Sequence, residues 1–308
     1  MVRPPDRRAL ARRALAAAAG VGADMVLGEP SVTPHPVSAF GTAMHRVERT
    51  LYADRRAAGV AHAATGLAIG VGAGLSLGPT TVSTAVATYL SVAQRALVDA
   101  AADVGRALDA NDLPGARGLL PSLVGRDPSD LSEGEIARAV VESVAENTVD
   151  AIVAPAVWAL AAGAPGTLGY RAVNTMDASV GYRNERYQHY GWASARLDDA
   201  ANLIPARLTA ALVMTVRPRS TRAVWRAVRQ QAPDHPSPNS GVAEAAFAAA
   251  LGLQLGGTNS YGDVVEERVL LGDGRPPRPT DIAAAITLCR DVSYALMAAL
   301  VIVAVATW

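Results

Sequence analysis

AAGVAHAATGLAIGVGAGLSLGPTTVSTAVATYLSVAQ, residues 57–94, contains no Asp, Glu, Arg or Lys. At about 1.5 Å per residue, an uncharged run of this length suffices for a hairpin of two membrane-crossing helices. Gly78-Pro79 supplies the turn between them. The second helix has to run on past Arg95 to reach full length. Ala151–Tyr170 is also uncharged, but Pro155, Gly163, Pro165 and Gly166 interrupt it, so a broken or re-entrant helix is expected as readily as a straight one. At the other end, Val292–Trp308 is uncharged and long enough to span with little tilt. Arg3, Arg7, Arg8, Arg12 and Arg13 precede the apolar Ala14–Gly28. Asp24 sits inside that apolar part and no cleavage site follows, so it reads as a retained, cytoplasm-facing first helix rather than a removed signal. The expected fold is therefore all-α: a polytopic membrane protein, one domain over residues 1–308, with polar loops and helices carrying the site. The alternative is a soluble alanine-rich bundle, which the only slightly positive mean hydropathy keeps open.

Composition removes several chemistries. Every basic side chain among the 28 Lys plus Arg is arginine. With no lysine there is no Schiff base, no lysyl-nucleotide and no P-loop lysine. Formal net charge is zero, which gives no long-range pull on nucleic acid. The single cysteine, Cys289, excludes an intrachain disulfide and a cysteine-built zinc site. The five histidines (His35, His45, His62, His189, His235) show no HExxH spacing, which argues against a zinc hydrolase.

Four polar stretches carry candidate chemistry. In 126–150, Ser132 and Glu135 form a capping box that opens a helix. On it Arg138, Glu142, Glu146 and Asp150 recur every four residues as a slowly winding stripe, while Val140, Val141 and Val144 are left to pack. Glu142 and Glu146 repel if exposed, and a cation between them, arginine or Mg²⁺, removes that penalty. Asn147 beside Glu146 adds to the case for a site. Residues 171–207, RAVNTMDASVGYRNERYQHYGWASARLDDAANLIPAR, form a polar island between apolar tracts. Asn174 and Asp177 are three apart; Arg183, Asn184, Arg186 and Tyr187 follow Gly181, which ends a helix. A new helix begins near Trp192 and carries Arg196, Asp198, Asp199 and Asn202, stopping near Pro205. Paired aspartates with an amide one turn on suit Mg²⁺ that holds phosphates; salt bridges that orient a bundle are the competing reading. Pro236-Ser237-Pro238-Asn239-Ser240-Gly241 is a rigid turn before a helix over 242–255, with Gly256-Gly257 as its stop. His35 is held between Pro34 and Pro36.

At these residues the chain resembles a known family. GEPSVTPHPV (28–37), VGRDPSDLSEGEIARAVVESVAENTVDAIVAPAVW (124–158), the 171–207 island, SPNSG (237–241) and the LGG-x-N-x-YG run from Leu255 are similar to adenosylcobinamide-phosphate synthases of the CobD/CbiB type. The resemblance runs in order from about Asp24 to Gly272. Two departures are Ala151, where the family usually has Gly after Asp150, and Glu29, where many members have Asp. The resemblance implies an integral membrane enzyme of cobalamin biosynthesis. It would join the propionate carboxyl of adenosylcobyric acid to 1-amino-2-propanol phosphate, or a close analogue, using ATP with Mg²⁺. It also implies the inner membrane, a cytoplasmic site, contact with lipid, no nucleic acid, and a homo-oligomer or other pathway enzymes as partners.

Amide formation from a carboxylate needs a leaving group, an acyl phosphate made with ATP, and a site that neutralises polyphosphate and excludes water. Without lysine, carboxylate-bound Mg²⁺ and arginine do the first. On that basis Glu142, Glu146, Asp198 and Asp199 are the expected metal ligands, and Arg183, Arg186 and Arg207 the phosphate grips. Arg196, Asn184, Tyr187 and Ser237 complete the expected binding set. Asn147, Asn174 and Asn239 are expected to orient substrate amides, and His35 or Asp177 to take the ammonium proton. Two other classes stay open: a membrane transferase of Mg²⁺–diphosphate substrates, and a non-catalytic corrinoid transport or assembly subunit.

Overall fold

The computed structural model describes residues 7–30, 35–125, 127–182, 184–261 and 264–308, with only the backbone described over 258–267. It is almost wholly helical. The helices are α1 (Arg7–Leu27), α2 (Pro36–Leu51), α3 (Arg56–Ser76), α4 (Thr81–Ser91), α5 (Gln94–Asp109), α6 (Leu113–Leu119), α7 (Glu133–Thr148), α8 (Ala154–Val180), α9 (Trp192–Val216), α10 (Thr221–Gln230), α11 (Ser240–Leu251) and α12 (Thr280–Thr307). One antiparallel hairpin, β1 (Leu255–Tyr261) with β2 (Val264–Leu271), is added. The chain forms two compact units: Met1–Ala93, Asp150–Asn202 and Leu296–Trp308 in the first, Gln94–Val149 and Leu203–Ala295 in the second.

Among the described residues three helical stretches are long and apolar enough to cross a membrane: Arg56–Ser76, Glu133–Val180 and Thr280–Thr307. Large apolar side chains on them point outward, among them Ile69, Ile302 and Val305, as lipid-facing surface requires. The expected helical hairpin over 57–94 forms with its turn at Gly78, at φ +78°, but its second arm is short. α4 stops at Ser91, Val92 is extended, and the Ala93 N–H donates to the Ala151 carbonyl at 3.0 Å. An 11-residue helix rises only about 16 Å, too little to span. The reason is that Ala93 takes its hydrogen bond from another segment, so helix does not continue through Arg95.

The first unit is built on close packing of α3 along α8. Gly59, Gly66, Gly70 and Gly74 lie buried along α3. A Cβ added at Gly70 would stand 2.7 Å from the Leu168 carbonyl oxygen, and one at Gly74 would stand 2.6 Å from that of Ala164. Small residues at this spacing let two backbones meet where lipid gives no hydrophobic drive.

Two prolines are accommodated by side-chain donors. Pro165 follows the break in α8 at Gly163 (φ 67°, ψ −149°). Its missing N–H leaves the Ala161 carbonyl without a helical partner, and Arg13 Nη1 donates there at 2.8 Å. Pro205 does not end its helix, contrary to expectation: α9 continues to Val216. The carbonyl it releases, on Ala201, accepts from Trp158 Nε1 at 3.1 Å, so the proline leaves no unsatisfied backbone group behind.

In the second unit α11 packs on α7 and α10. It ends at Gly252, in the left-handed region at φ 67°, not at Gly256-Gly257 as expected. Those glycines instead open β1, with a bulge between Leu255 and Gly257. The partner strand reads VVEERVLL, rich in β-branched residues.

Candidate active site

In the first unit a polar group is set into the apolar faces of α8 and α9. Asn174 Nδ2 donates to Asp150 Oδ2 at 3.2 Å and to Asp198 Oδ1 at 3.3 Å. Its Oδ1 accepts from Arg171 Nη1 at 3.3 Å. Asn202 Nδ2 donates to Asp198 Oδ2 at 3.0 Å, and its Oδ1 accepts from the Tyr170 hydroxyl at 3.0 Å. Tyr170 and Asn202 are buried. Two carboxylates therefore share one amide nitrogen, with one guanidinium nearby. Like charges held this close in a poorly solvated place favour a further cation between them. Local backbone supports the arrangement: α7 and α8 are joined by a π-helical turn over Val149–Val153 that contains Asp150, a geometry common at functional sites. Asp199 does not join Asp198. Neighbours on a helix diverge by about 100°, and Asp199 pairs with the exposed Arg196 at 3.5 Å.

The second unit gathers another set. Ser240 Oγ donates to Glu146 Oε1 at 2.8 Å, and Arg207 Nη1 donates to Asn239 Oδ1 at 2.9 Å. Ser237 Oγ accepts from the N–H groups of Asn239 and Ser240 at 3.3 and 3.2 Å, which shapes the turn that opens α11. Glu142 is buried and accepts from the Gly256 N–H at 2.9 Å, while Arg138 Nη1 donates to the Gly256 carbonyl. One residue of the β1 bulge thus has both its backbone N–H and its carbonyl held by α7. Gly256 is at φ +83°, and a Cβ there would overlap the Val269 carbonyl. Gly256→Ala is expected to cost about 2–3 kcal/mol. Gly252→Ala, also left-handed but with open space around it, should cost about 1 kcal/mol. Chemical unfolding in detergent measures both; equal losses would mean that the overlap with the Val269 carbonyl costs nothing.

Beside this set His235 lies buried, its Nε2 3.7 Å from Glu244 Oε1 and its Nδ1 3.1 Å from the Ser237 carbonyl oxygen. Burial pushes the imidazole below its ordinary value, against the opposing hydrogen bond to the Ser237 backbone and the charges of Glu146 and Glu142. A lowered histidine binds its proton more weakly folded than unfolded. Its contribution is intact above about pH 6.5 and is lost as pH falls below that value towards the folded pKa. The melting temperature should accordingly drop below pH 6.5, and His235→Asn should flatten that part of the profile. An unchanged slope in the variant would remove this assignment.

The remaining expected residues lie elsewhere. Arg186 Nη2 and the Tyr187 hydroxyl donate to the buried Glu48, at 3.0 and 2.9 Å, and His45 Nδ1 lies 3.4 Å from its other oxygen. Burial alone would raise the Glu48 carboxyl, but the bonds from Arg186, Tyr187 and His45 hold it below the usual range. Asn184 Oδ1 accepts from the Tyr187 N–H at 2.9 Å, closing the turn after Gly181. Asn147 Nδ2 returns to the Ser143 carbonyl of its own helix at 2.9 Å. His35 caps the start of α2 with extended backbone, and its Nε2 is buried without a hydrogen-bond partner among the described residues. The Asp177 side chain lies against Gly181 at the end of α8, where any Cβ would collide with it. Arg183 lies outside the described residues. Among the described residues no three His, Cys, Asp or Glu side chains converge as a metal-binding group.

Comparison with known proteins bears on the same segments. The profile of the family described as CobD/Cbib protein matches residues 17–289. A cobalamin biosynthesis protein CobD of Mycobacterium tuberculosis (strain CDC 1551 / Oshkosh) is 44% identical over 291 residues, covering 91% of this chain and 92% of its own length. That of Geobacter metallireducens is 44% identical over 278 residues, covering 85% and 86%. That of Rhodobacter capsulatus is 40% identical over 300 residues, covering 92% and 95%. The chain belongs to the CobD/CbiB family. No solved structure matches it.

Several residues that shape the polar groups of this CobD/CbiB chain escaped sequence reasoning as site residues. Asp150 was legible only as the end of a stripe, and Tyr170, Arg171 and Asn202 only as parts of a motif. Glu48, His235 and Glu244 gave one usable signal. Glu244 is a lone ionisable residue on an apolar helix, His235 sits beside a rigid turn, and Glu48 is an acid on α2; each needs a partner once buried.

Proposed function

We propose that this chain acts in cobalamin biosynthesis as an ATP-dependent, amide-forming enzyme of the inner membrane. The reaction joins the propionate carboxyl of adenosylcobyric acid to the amine of 1-amino-2-propanol phosphate, giving adenosylcobinamide phosphate. The observation that carries the reading is the pair of carboxylates, Asp150 and Asp198, sharing the Asn174 amide, in a chain whose family membership extends over most of its length.

The residues fit a Mg²⁺–nucleotide. Magnesium takes one or two protein carboxylates and completes its shell with water and phosphate, so a three-residue protein cage is not required. The ligand assignment moves accordingly. Asp198 stays and Asp150 joins it, both in the first unit, while Glu146 is kept as a candidate ligand within the second unit only. Asp199, turned to Arg196, and Glu142, turned to Gly256, become positioning residues. When bound, MgATP supplies the leaving group that a free carboxylate lacks. Arg207, ordered by Asn239, grips phosphate as a planar donor. Asn174 and Asn239 orient substrate amides. His35 or Asp177 receives the proton of the attacking ammonium. The apolar helices around these groups exclude water and so strengthen their electrostatics.

The test is formation of adenosylcobinamide phosphate by the purified chain from adenosylcobyric acid, aminopropanol phosphate and MgATP. Product that requires all three supports the reading. Substrate binding without ATP turnover would point to a transport or assembly role, and turnover of a lipid diphosphate instead would make the chain a different transferase.

A further inference from the structure

Far along the first unit from the Asp198 group, a cavity of about 820 Å³ opens where α1, the α3–α4 turn and the break in α8 meet. Its lining combines Arg12 and Arg13 with Thr80, Thr81 and Thr84, and otherwise with apolar or small residues such as Leu75 and Pro165. Arg12 is exposed. Arg13 gives one donor to Ala161, and a guanidinium has five. None of the residues assigned to amide formation lines this cavity.

We propose that this cavity holds the headgroup of an anionic phospholipid, with Arg12 and Arg13 on its phosphate. Two observations choose the lipid over a soluble phosphate compound. First, the cavity lies at the end of α3, which is long and apolar enough to cross a membrane, so it sits at headgroup level when α3 spans. Second, its rim is apolar and outward-facing: Leu75 is 65% exposed, Leu77 44% and Val82 72%. Such a rim is costly in water but suits acyl chains, while paired arginines beside it attract an anionic surface.

Native mass spectrometry of the full chain released from detergent tests this. With phosphatidylglycerol added, the wild type should retain one lipid per chain, and with phosphatidylcholine none. Arg12→Gln removes an exposed charge without touching the Arg13–Ala161 bond and should weaken retention about fivefold. Thr81→Trp, which fills the cavity and leaves its charge unchanged, should abolish retention. Retention of phosphatidylcholine to the same level, or of phosphatidylglycerol by both variants as by wild type, would overturn the proposal. So would displacement of the lipid by millimolar inorganic phosphate, which would identify a soluble phosphate as the occupant.

Discussion

Asp198→Asn should lower formation of adenosylcobinamide phosphate by about 10³-fold or more while the chain stays folded. The substitution keeps the shape of the side chain and removes its charge. Both Asp198 oxygens accept from amides, at 3.3 Å from Asn174 and 3.0 Å from Asn202. An asparagine has only one oxygen to offer, so one amide contact becomes donor against donor. That mismatch costs about 1–2 kcal/mol of stability, which melting in detergent will resolve. The catalytic loss is far larger because, in the proposed reaction, the missing charge is the one assigned to metal and phosphate. Asp150→Asn should behave alike, since Asp150 takes the same Asn174 nitrogen. Asp199→Asn, by contrast, should change activity less than about threefold, because its partner is an exposed arginine on its own helix. Near-full activity in both Asp198→Asn and Asp150→Asn would make the group a structural lock and move the chemistry to Glu146 and the turn before α11.

Gly74→Val should be a severely damaging packing change on α3. The new Cβ meets backbone, 2.6 Å from the Ala164 carbonyl oxygen and against the Pro165 ring. Backbone cannot rotate aside as a side chain can, so α3 and α8 must separate. The expected loss is about 3 kcal/mol or more. It should be seen as a fall in melting temperature and in the yield of folded chain from membranes. Gly72→Val is the matched control: its Cβ meets nothing within 4 Å, and it should be neutral or slightly stabilising. Equal melting temperatures for the two variants would show that the glycine row does not set the helix spacing.

Much of the architecture was open to reading because it depends on local pattern. The uncharged 57–94 run, the Ser132–Glu135 box, which forms with Ser132 N–H to Glu135 Oε2 at 2.9 Å, and the stop at Gly181 all rest on near neighbours in the chain. Misreadings came where a distant group intervened. The extent of α9 depends on an indole donor 43 residues upstream of Ala201, and the end of α4 on the carbonyl of Ala151. The hairpin gave no clear signal because Glu266, Glu267 and Arg268 interrupt the β-branched residues of its second strand. In the site, the type of chemistry was legible: acids, amides and arginines in apolar surroundings. Their pairing was not. Spacing placed Asp198 beside Asp199, while the tertiary fold pairs Asp198 with Asp150 through Asn174. Arg186 and Tyr187 read as phosphate ligands because Glu48, far away in sequence, gave no hint of being their partner.

Trp158 with Pro205 gives the chain a form of inheritance by couples. An orphaned carbonyl inside a membrane is costly, and a surplus donor there is costly as well. Replacing Trp158 alone strands Ala201, whereas replacing Pro205 alone restores a helical donor and leaves the indole N–H without its bond. Neither half can drift freely without the other. Two short steps in sequence space are thus locked into one long one, and these helices are expected to change course over evolutionary time only by double substitution.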